Sequence, residues 1–369
     1  MPGGAGPFGA ALILPTGIGL ETGGYAGDGT PAANLLAAAC DHLVTHPNAV
    51  NAAALNWAAG NVAYVEGALL DAWLAGELAL RRVRANRVGL LIDRGVADSG
   101  GMPRIDNAAH AFRMVGGGSL EALLTAEPLD LGLAAGASGA SYGSLGNPDL
   151  LLAGARTLVA RGAQAVAIVG DFSRLDLDAT AYLAGAGPDP VGGLEAILSH
   201  LVARELGVAC AHAPWLRPSA DPCDPRAAAE ELGSTFLLSV LRGLQRAPRP
   251  MPAGARSDPA AAAWSDPAAG PGRAVFLPDP AAVVAPATAL GGPGVLAAAA
   301  RGIPIVAVRN PSALDVGAAD LGLRAIPAAS YLEAAGILLA LREGIDPLTL
   351  GRDAVGSPAG GRPATRSAV

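Results

Sequence analysis

The fold is decided most clearly between Val283 and Ser312, where the chain reads VVAPATALGGPGVLAAAARGIPIVAVRNPS. An apolar, β-branched run is followed by a glycine-rich turn, an Ala-rich stretch of helical character and a second apolar run. This alternation of strand and helix is typical of parallel sheets whose faces are covered by helices. The segment therefore predicts two parallel strands joined through a helix.

The same alternation recurs along the rest of the chain, and capping side chains mark the helix starts. These starts lie at Thr30-Pro31, Asn147-Pro148, Asp224-Pro225 and Ser330–Glu333. The predicted strands are Ala10–Pro15, Asn61–Val65, Arg87–Asp93, Gln164–Gly170, Gly207–Ala211, Ala282–Pro286 and Ile303–Val308. We expect an α/β protein with a largely parallel, Rossmann-like sheet and helices on both faces, built either as two lobes or as one large sheet.

The length and one compositional shift suggest a domain organisation. The 369 residues exceed what a single compact core usually holds. Residues 247–273 are rich in Pro, Gly, Ala and Ser and offer little surface to bury, which predicts a flexible linker. The linker would separate a main α/β lobe at 9–246 from a smaller βα lobe at 274–350, and 351–369 would form a disordered tail.

Composition also excludes several classes of partner. The net charge is −7 and no run of basic residues is present, so nucleic acid is not an expected partner. The apolar stretches are far shorter than the ~20 residues of a membrane span, and Met1-Pro2-Gly3-Gly4 does not resemble a secretory signal. The three cysteines cannot form an even disulfide framework. We expect a cytoplasmic protein that acts on a small molecule without a membrane partner, and a homo-oligomer is compatible with these data.

All 25 basic residues are arginines. Without a lysine, the chain can form no Schiff base with pyridoxal phosphate and has no Walker A lysine. A GC-rich genome would produce the same bias, so the absence limits the mechanism without indicating one. The cofactor remains unknown.

A first candidate binding loop spans residues 17–30, between the opening strand and a helix. Its glycines expose backbone amides beside a helix N-terminus, which suits a phosphate or carboxylate. It is not a dinucleotide fingerprint, because Thr22 stands at the third glycine position. Glycines needed only for tight turns would give the same composition. The residues predicted to bind ligand here are Gly23, Gly24, Asp28 and Thr30.

A second candidate loop spans residues 136–147, and within it Gly139–Gly143 matches the G-x-S-x-G nucleophile elbow. The helix cap follows Ser141 by six residues and His212 is the last histidine, so an anion or hydroxyl cradle fits better than a serine nucleophile. A surface loop without function is the alternative. The predicted cradle residues are Ser138, Ser141, Ser144 and Asn147.

The turn after Pro286 is a third candidate. At the level of fold alone, its strand, turn and helix are similar to the phosphate-binding half of many transferases. The predicted binding residues of this rim are Thr288, Gly291, Gly292 and Asn310.

His42 and His46 are four residues apart, which would place two imidazoles on one helix face. The spacing is a weak metal signal, because no Glu lies between them and the helix would stop before Pro47. We retain His46, with Asn48 and Asn51, as polar groups at the edge of a site.

His200, Cys210 and His212 allow a zinc site, although no paired ligand spacing completes it. A buried cysteine and a hydrogen-bonded histidine are the simpler interpretation. Because ligands of open α/β sheets bind beyond the carboxyl ends of strands, His212 and Glu66 are candidate acid/base groups. Glu195 is interpreted as part of a solvated helix face.

Nine segments together resemble one known family. They are LPTGIG (14–19), GGYAGD (23–28), THPNAVN (45–51), AYVEG (63–67), ASGASYGSLGNPD (137–149), SHLVARE (199–205), CAHAP (210–214), AAEELG (228–233) and LGGPGVL (290–296). In this order they resemble the uncharacterised family known as domain of unknown function 3326. The resemblance implies no activity, cofactor or catalytic residue.

We therefore predict a small-molecule metabolic enzyme that uses acid/base chemistry on a carboxylate or phosphate substrate. His212, Glu66 and His46 are its candidate catalytic groups, and lyase, isomerase, hydrolase and transferase reactions all remain open. The alternative is a non-catalytic small-molecule-binding or scaffold protein.

Overall fold

The computed structural model describes residues 6–25, 28–46, 58–216, 222–228, 236–257 and 276–350. The strands are β1 (Gly9–Leu12), β2 (His42–Thr45), β3 (Val62–Tyr64), β4 (Leu78–Arg81), β5 (Val88–Ile92), β6 (Leu120–Leu124), β7 (Leu131–Ala135), β8 (Ser141–Leu145), β9 (Ala165–Asp171), β10 (Ala209–Trp215), β11 (Arg249–Pro252), β12 (Pro280–Pro286), β13 (Ile305–Val308) and β14 (Ile326–Ala328). The helices are α1 (Thr30–Ala38), α2 (Gly67–Ala75), α3 (Arg94–Asp98), α4 (Met102–Gly116), α5 (Pro148–Ala160), α6 (Thr180–Leu183), α7 (Gly192–Leu206), α8 (Phe236–Arg246), α9 (Pro293–Ala300) and α10 (Tyr331–Arg342).

Two parallel sheets form the frame of the molecule. The larger has the strand order β14-β13-β12-β1-β2-β3, and the smaller has the order β10-β9-β5-β6. Every neighbouring pair in both is parallel. Two antiparallel pairs, β4 with β11 and β7 with β8, complete the strands. The predicted α/β class with largely parallel strands is confirmed.

The central strands are buried on both faces, as parallel strands covered by helices must be. All seven residues of β9 are buried, and β12 has only one half-buried residue. One hydrophobic core joins the two sheets, because α2 and α7 contribute side chains such as Trp73 and Leu198 to a cluster that also contains Ile168 of β9 and Val283 of β12. No helix within the described ranges is long and apolar enough to cross a membrane.

Each of the seven predicted strands overlaps an observed one, with shifted ends. The prediction missed β2, β4, β6, β7, β8, β11 and β14. The segment that contains His42 was expected to be helical, and this expectation is wrong, because it forms a strand paired with β1 and β3. The loop expected at 136–147 is largely a hairpin of β7 and β8.

The start of the predicted linker is ordered. Arg249–Pro252 pairs with β4, and Ala253–Arg256 forms a 3-10 turn. Residues 258–275 and the predicted tail at 351–369 lie outside the described residues. The strands of the predicted smaller lobe belong to the larger sheet, in which β12 lies between β1 and β13.

The predicted caps differ in outcome. Ser330 accepts a hydrogen bond from the Glu333 amide at 3.3 Å, and Glu333 accepts one from the Ala329 amide at 2.6 Å, so the cap of α10 is confirmed. Thr30 lies inside α1 after an N-cap at Gly29, and Asn147 makes no side-chain cap bond, so neither prediction of a capping side chain is correct.

We expect Leu338→Ala to lower the free energy of unfolding by about 2–5 kcal/mol, because Leu338 is fully buried in α10 and the truncation leaves a cavity. Leu332→Ala in the same helix is the matched control, since 72% of Leu332 is exposed, and we expect a change within about 0.5 kcal/mol. Urea denaturation measures both, and equal effects would contradict the packing described.

Candidate active site

A chain of polar side chains runs along α7, from the carboxyl end of β3 to the middle of β10. We call it the polar seam and define it by Glu66, Glu195, Ser199, His200 and His212. Glu66 follows β3 and is the N-cap of α2. The next three lie on α7, and His212 lies on the side of β10 that faces α7. The prediction that His212 lies beyond the end of a strand is wrong, because β10 continues to Trp215.

Glu66 is 2% exposed and is the hub of the seam. Its Oε2 accepts a hydrogen bond from the Ala68 amide at 2.7 Å. Its Oε1 accepts from Nδ1 of His200 at 2.5 Å and from the Ser199 hydroxyl at 3.4 Å. A Cβ at Gly67 would lie 2.5 Å from Cε1 of His200, so only glycine allows this imidazole to approach so closely.

Ser199 fixes the tautomer of His212. The hydroxyl donates to the Glu66 carboxylate, so its oxygen accepts from Nδ1 of His212, at 3.0 Å. Nε2 of His212 then carries a lone pair. It faces Oε2 of Glu195 at 3.6 Å.

Glu195 lies deepest in the seam. Its side chain is 9% exposed, and Oε1 has no hydrogen-bond partner among the described residues. Burial, and then the negative charge of Asp189, raise the pKa of Glu195 well above its ordinary value. Burial also raises the pKa of Asp189 to about 6. The expectation that Glu195 is a solvated helix residue is therefore wrong, and its surroundings favour the protonated carboxyl.

The pKa values of the two seam histidines are shifted in opposite directions. Burial, and then the charge of His200, lower the pKa of His212 to about 3, so His212 is neutral. Burial alone would lower the pKa of His200 as well. The hydrogen bond and charge of Glu66, together with the charge of Asp71, outweigh that burial and raise the pKa of His200.

His46 lies beside the seam, directly after β2. Its Nε2 accepts a hydrogen bond from the Leu14 amide at 2.9 Å. Burial and the charge of His200 lower the pKa of His46 to about 4, so it is neutral too. The three residues predicted to be catalytic, His212, Glu66 and His46, thus lie in one region. Asn48 and Asn51, predicted with them, lie outside the described residues.

The glycine-rich loop of residues 17–30 binds its own carboxylate. Oδ1 of Asp28 accepts hydrogen bonds from the Gly23 amide at 2.8 Å and the Tyr25 amide at 3.2 Å. Gly24 packs against the backbone of Leu20 so closely that a side chain would collide with it. The amides predicted to hold an external anion are engaged within the loop. Thr30 has a buried hydroxyl without a partner among the described residues.

Asn310 joins the first loop to the third. Its side chain bonds both the amide and the carbonyl of Thr22, at 3.0 and 2.8 Å, and the Tyr331 hydroxyl at 2.8 Å. The Thr288 hydroxyl bonds the Asn310 carbonyl at 3.1 Å and lies 3.1 Å from the Ser312 hydroxyl. Gly291 and Gly292 form the open turn before α9. The two loops therefore meet at one edge of the larger sheet.

The serines of residues 136–147 diverge. Ser141 begins β8, where its amide donates to the Gly17 carbonyl at 2.8 Å and its hydroxyl accepts from the Gly193 amide at 3.3 Å. A nucleophile elbow needs a turn between strand and helix, so the G-x-S-x-G match is not one. Ser138 lies in the hairpin turn, and Ser144 is exposed beside Gly132. The side-chain Nδ2 of Asn147 donates to the Pro128 carbonyl at 2.9 Å.

The alternatives with a metal find no support within the described residues, where no group of three His, Cys, Asp or Glu side chains could hold an ion. His42 begins β2 and His46 directly follows it, so the two do not lie on one helix face. Cys210 is buried, and burial and the charge of Glu66 raise the pKa of its thiol well above the ordinary value. The sequence offered one unused signal for the seam: Glu195, Ser199 and His200 are the polar residues within the first nine positions of α7, which are otherwise Gly, Ala, Leu and Ile.

The family described as "Protein of unknown function (DUF3326)" matches residues 9–351. The chain belongs to this family. The chain is also similar to an uncharacterized lipoprotein of Synechococcus sp., with 43% identity over 350 residues that cover 92% of each chain. No solved structure matches it. The family resemblance predicted from the nine segments is confirmed, and neither description names a reaction.

In this DUF3326 chain, we expect Glu66→Gln to lower the pKa of His200, because the variant removes the adjacent charge while keeping an oxygen for the Ala68 amide. Since the folded-state pKa of His200 is raised, the ion pair stabilises the fold fully below its unfolded pKa of about 6.5. This contribution, about 1 kcal/mol for a half-exposed histidine, is lost as pH rises through the folded-state pKa.

Urea denaturation from pH 5.5 to 9, with NMR titration of His200, measures this effect. The difference in stability between wild type and Glu66→Gln should shrink as pH rises. Glu77→Gln, at an exposed position just after α2, should give a difference that does not depend on pH. An unchanged pKa of His200 in Glu66→Gln would contradict the geometry of the pair.

Proposed function

We propose that this protein is a small-molecule enzyme that uses acid/base chemistry at the polar seam. The observation that carries the proposal is Oε1 of Glu195, a buried carboxyl oxygen that has no hydrogen-bond partner among the described residues and lies next to the neutral imidazole of His212. Buried titratable groups with opposed pKa shifts are typical of catalytic sites. Lyase, isomerase, hydrolase and transferase reactions all use such a pair.

The hydrogen bonds of the seam support one specific proton transfer. The Glu195 O–H bond breaks as its proton binds Nε2 of His212, the proton on Nδ1 moves to the Ser199 oxygen, and the Ser199 proton moves to Glu66. One proton passes from Glu195 to Glu66, and His212 and Ser199 end as neutral as they began. The 3.6 Å gap between His212 and Glu195 is the longest step, and such contacts often tighten when substrate binds.

This transfer gives Glu195 both roles of an acid/base catalyst. With its proton it can donate to a substrate, and after the transfer it is a carboxylate that can accept one. The far end of the seam reaches solvent, since 47% of the His200 side chain is exposed. Ser199 and His200 act through other groups, so we assign them as positioning residues.

An anionic substrate, either a carboxylate or a phosphate, fits the charge of the seam. His200 lies against Glu66, and burial favours the protonated form of Glu195, so the acids repel an anion less than their number suggests. His46 lies close enough to His200 to feel its charge and can donate from Nδ1, because its Nε2 is occupied by the Leu14 amide.

The rival function is non-catalytic binding, and one observation favours it. The amides of the glycine loop hold the carboxylate of Asp28, so the loop does not need an external anion. A thermal-shift screen with small carboxylates and phosphates comes first, because a ligand at a hundred times its Kd adds about 2.7 kcal/mol of stability. Ligands that stabilise the protein are then assayed for turnover.

We expect Glu195→Gln to lower turnover by about 100-fold or more without weakening ligand binding, because it removes the proton donor and keeps the shape. Glu205→Gln, at an exposed position of α7, is the matched control and should retain wild-type turnover. Ser199→Ala should lower kcat more than it changes KM. Wild-type turnover in Glu195→Gln would refute the catalytic assignment, and bound ligands that are never converted would favour the rival.

We also propose that the protein works in the cytoplasm. Cys40 and Cys210 are buried and Cys223 is half-buried, so attaching a lipid at any of them would disturb the fold. The Synechococcus relative carries the name lipoprotein, which makes this proposal worth testing directly. Cell fractionation should find the protein in the cytosol, and recovery from washed membranes would overturn the proposal.

A further inference from the structure

A cavity of about 560 Å³ opens at the opposite edge of the larger sheet, where β2 and β3 begin. It is lined by His42 at the first position of β2, by the residues leading into β3, by the segment after β4 and by the last turn of α8. The polar seam follows the carboxyl ends of these strands, so the two sites lie at different ends of the sheet.

Four arginines line this cavity. Arg82 and Arg84 follow β4 directly, and Arg242 and Arg246 lie one turn apart on α8. No carboxylate is among the lining residues in the described part of the chain. None of the four arginines forms an ion pair with a described residue. We call this group the arginine cavity.

The carboxylate of Asp41, next to His42 in the chain, is already engaged. Asp41 forms an ion pair with Arg342 at 2.9 Å and accepts a hydrogen bond from the Phe8 amide at 2.7 Å. The positive charge of the arginine cavity is therefore not balanced by this neighbour.

The positively charged groups of the arginine cavity disfavour one another's charged forms. Burial, and then the charge of Arg82, lower the pKa of His42, although Asp41 acts in the opposite direction. Burial, and then the charge of Arg246, lower the pKa of Arg242. An anion placed among these groups would relieve the repulsion.

We infer that the arginine cavity binds a small molecule that carries a phosphate or pyrophosphate group. Guanidinium forks match phosphate oxygens in bidentate geometry and are preferred where such groups are recognised. The volume lies within the range of small-molecule sites, about 300–1,000 Å³. Four positive charges exceed the single negative charge of a carboxylate, and they match an anion that carries several negative charges.

The sequence hid this site because its arginines come from two segments. Arg82 and Arg84 belong to the stretch RRVRANR (81–87), and Arg242 and Arg246 follow more than 150 residues later, so the sequence does not show that the four meet. The fold brings them together through β4 and the end of α8.

Isothermal titration with inorganic pyrophosphate, at ionic strength held constant with sodium chloride, tests the inference. Wild type should bind saturably with one equivalent. The double variant Arg82→Gln with Arg246→Gln should weaken binding at least tenfold, and Arg84→Gln should weaken it to a smaller extent. Arg156→Gln removes the same charge at an exposed position of α5 outside the cavity and should bind like wild type.

Folding is controlled by the melting temperature of each variant without ligand, which should stay close to wild type because Arg82, Arg84 and Arg246 are exposed. If the double variant has a lower melting temperature than wild type, the test rests on the pyrophosphate affinity of Arg84→Gln alone. Glu195→Gln should bind pyrophosphate like wild type, which separates this site from the polar seam. Absence of saturable binding to wild type, or equal weakening in Arg156→Gln, would overturn the inference.

Discussion

The buried charge of Glu66 is the constraint on which the arrangement of the molecule depends. A carboxylate at 2% exposure must be paired and hydrogen-bonded, because an unpartnered charge in the interior is strongly destabilising. Its partners come from the start of α2 and from α7, which packs against β10 of the smaller sheet. Satisfying this one charge therefore fixes α7 between the two sheets, and with it the positions of Glu195 and His212.

The amides of three turns in this fold bind carboxylates of the protein itself. Asp28 occupies the amides of the first loop, Asp189 accepts from the Val191 amide before α7, and Asp71 accepts from the Gly294 amide of α9. Burial raises the pKa of all three carboxyls. The amides of each turn act against burial, because they stabilise the ionised carboxylate, so a turn that looks like a site for an external anion can instead hold a carboxylate of the protein itself.

The sequence predicted the strands whose burial leaves a continuous apolar run, such as β9 and β12, because both faces of a central parallel strand must be apolar. It failed where strands are short or contain Gly and Ser, as in β8, and at His42–Thr45, where four residues cannot distinguish helix from strand. Glu66 was found because strand ends favour chemistry in open α/β sheets, whereas the same rule selected His212 although it lies in the middle of β10. Glu195 was not found, because a charged residue on a helix is solvated unless a second layer covers it, and that layer comes from distant parts of the chain.

The order of strands in the larger sheet sets a condition on synthesis. β1 pairs with β12, so the centre of the larger sheet cannot form until the chain has been synthesised as far as Pro280. Contacts this distant in sequence make folding slow, and most of the chain has left the ribosome before the first strand gains its second neighbour. Until then one edge of the apolar strand β1 has no paired strand. We expect chaperones to bind this exposed strand in the nascent chain during translation.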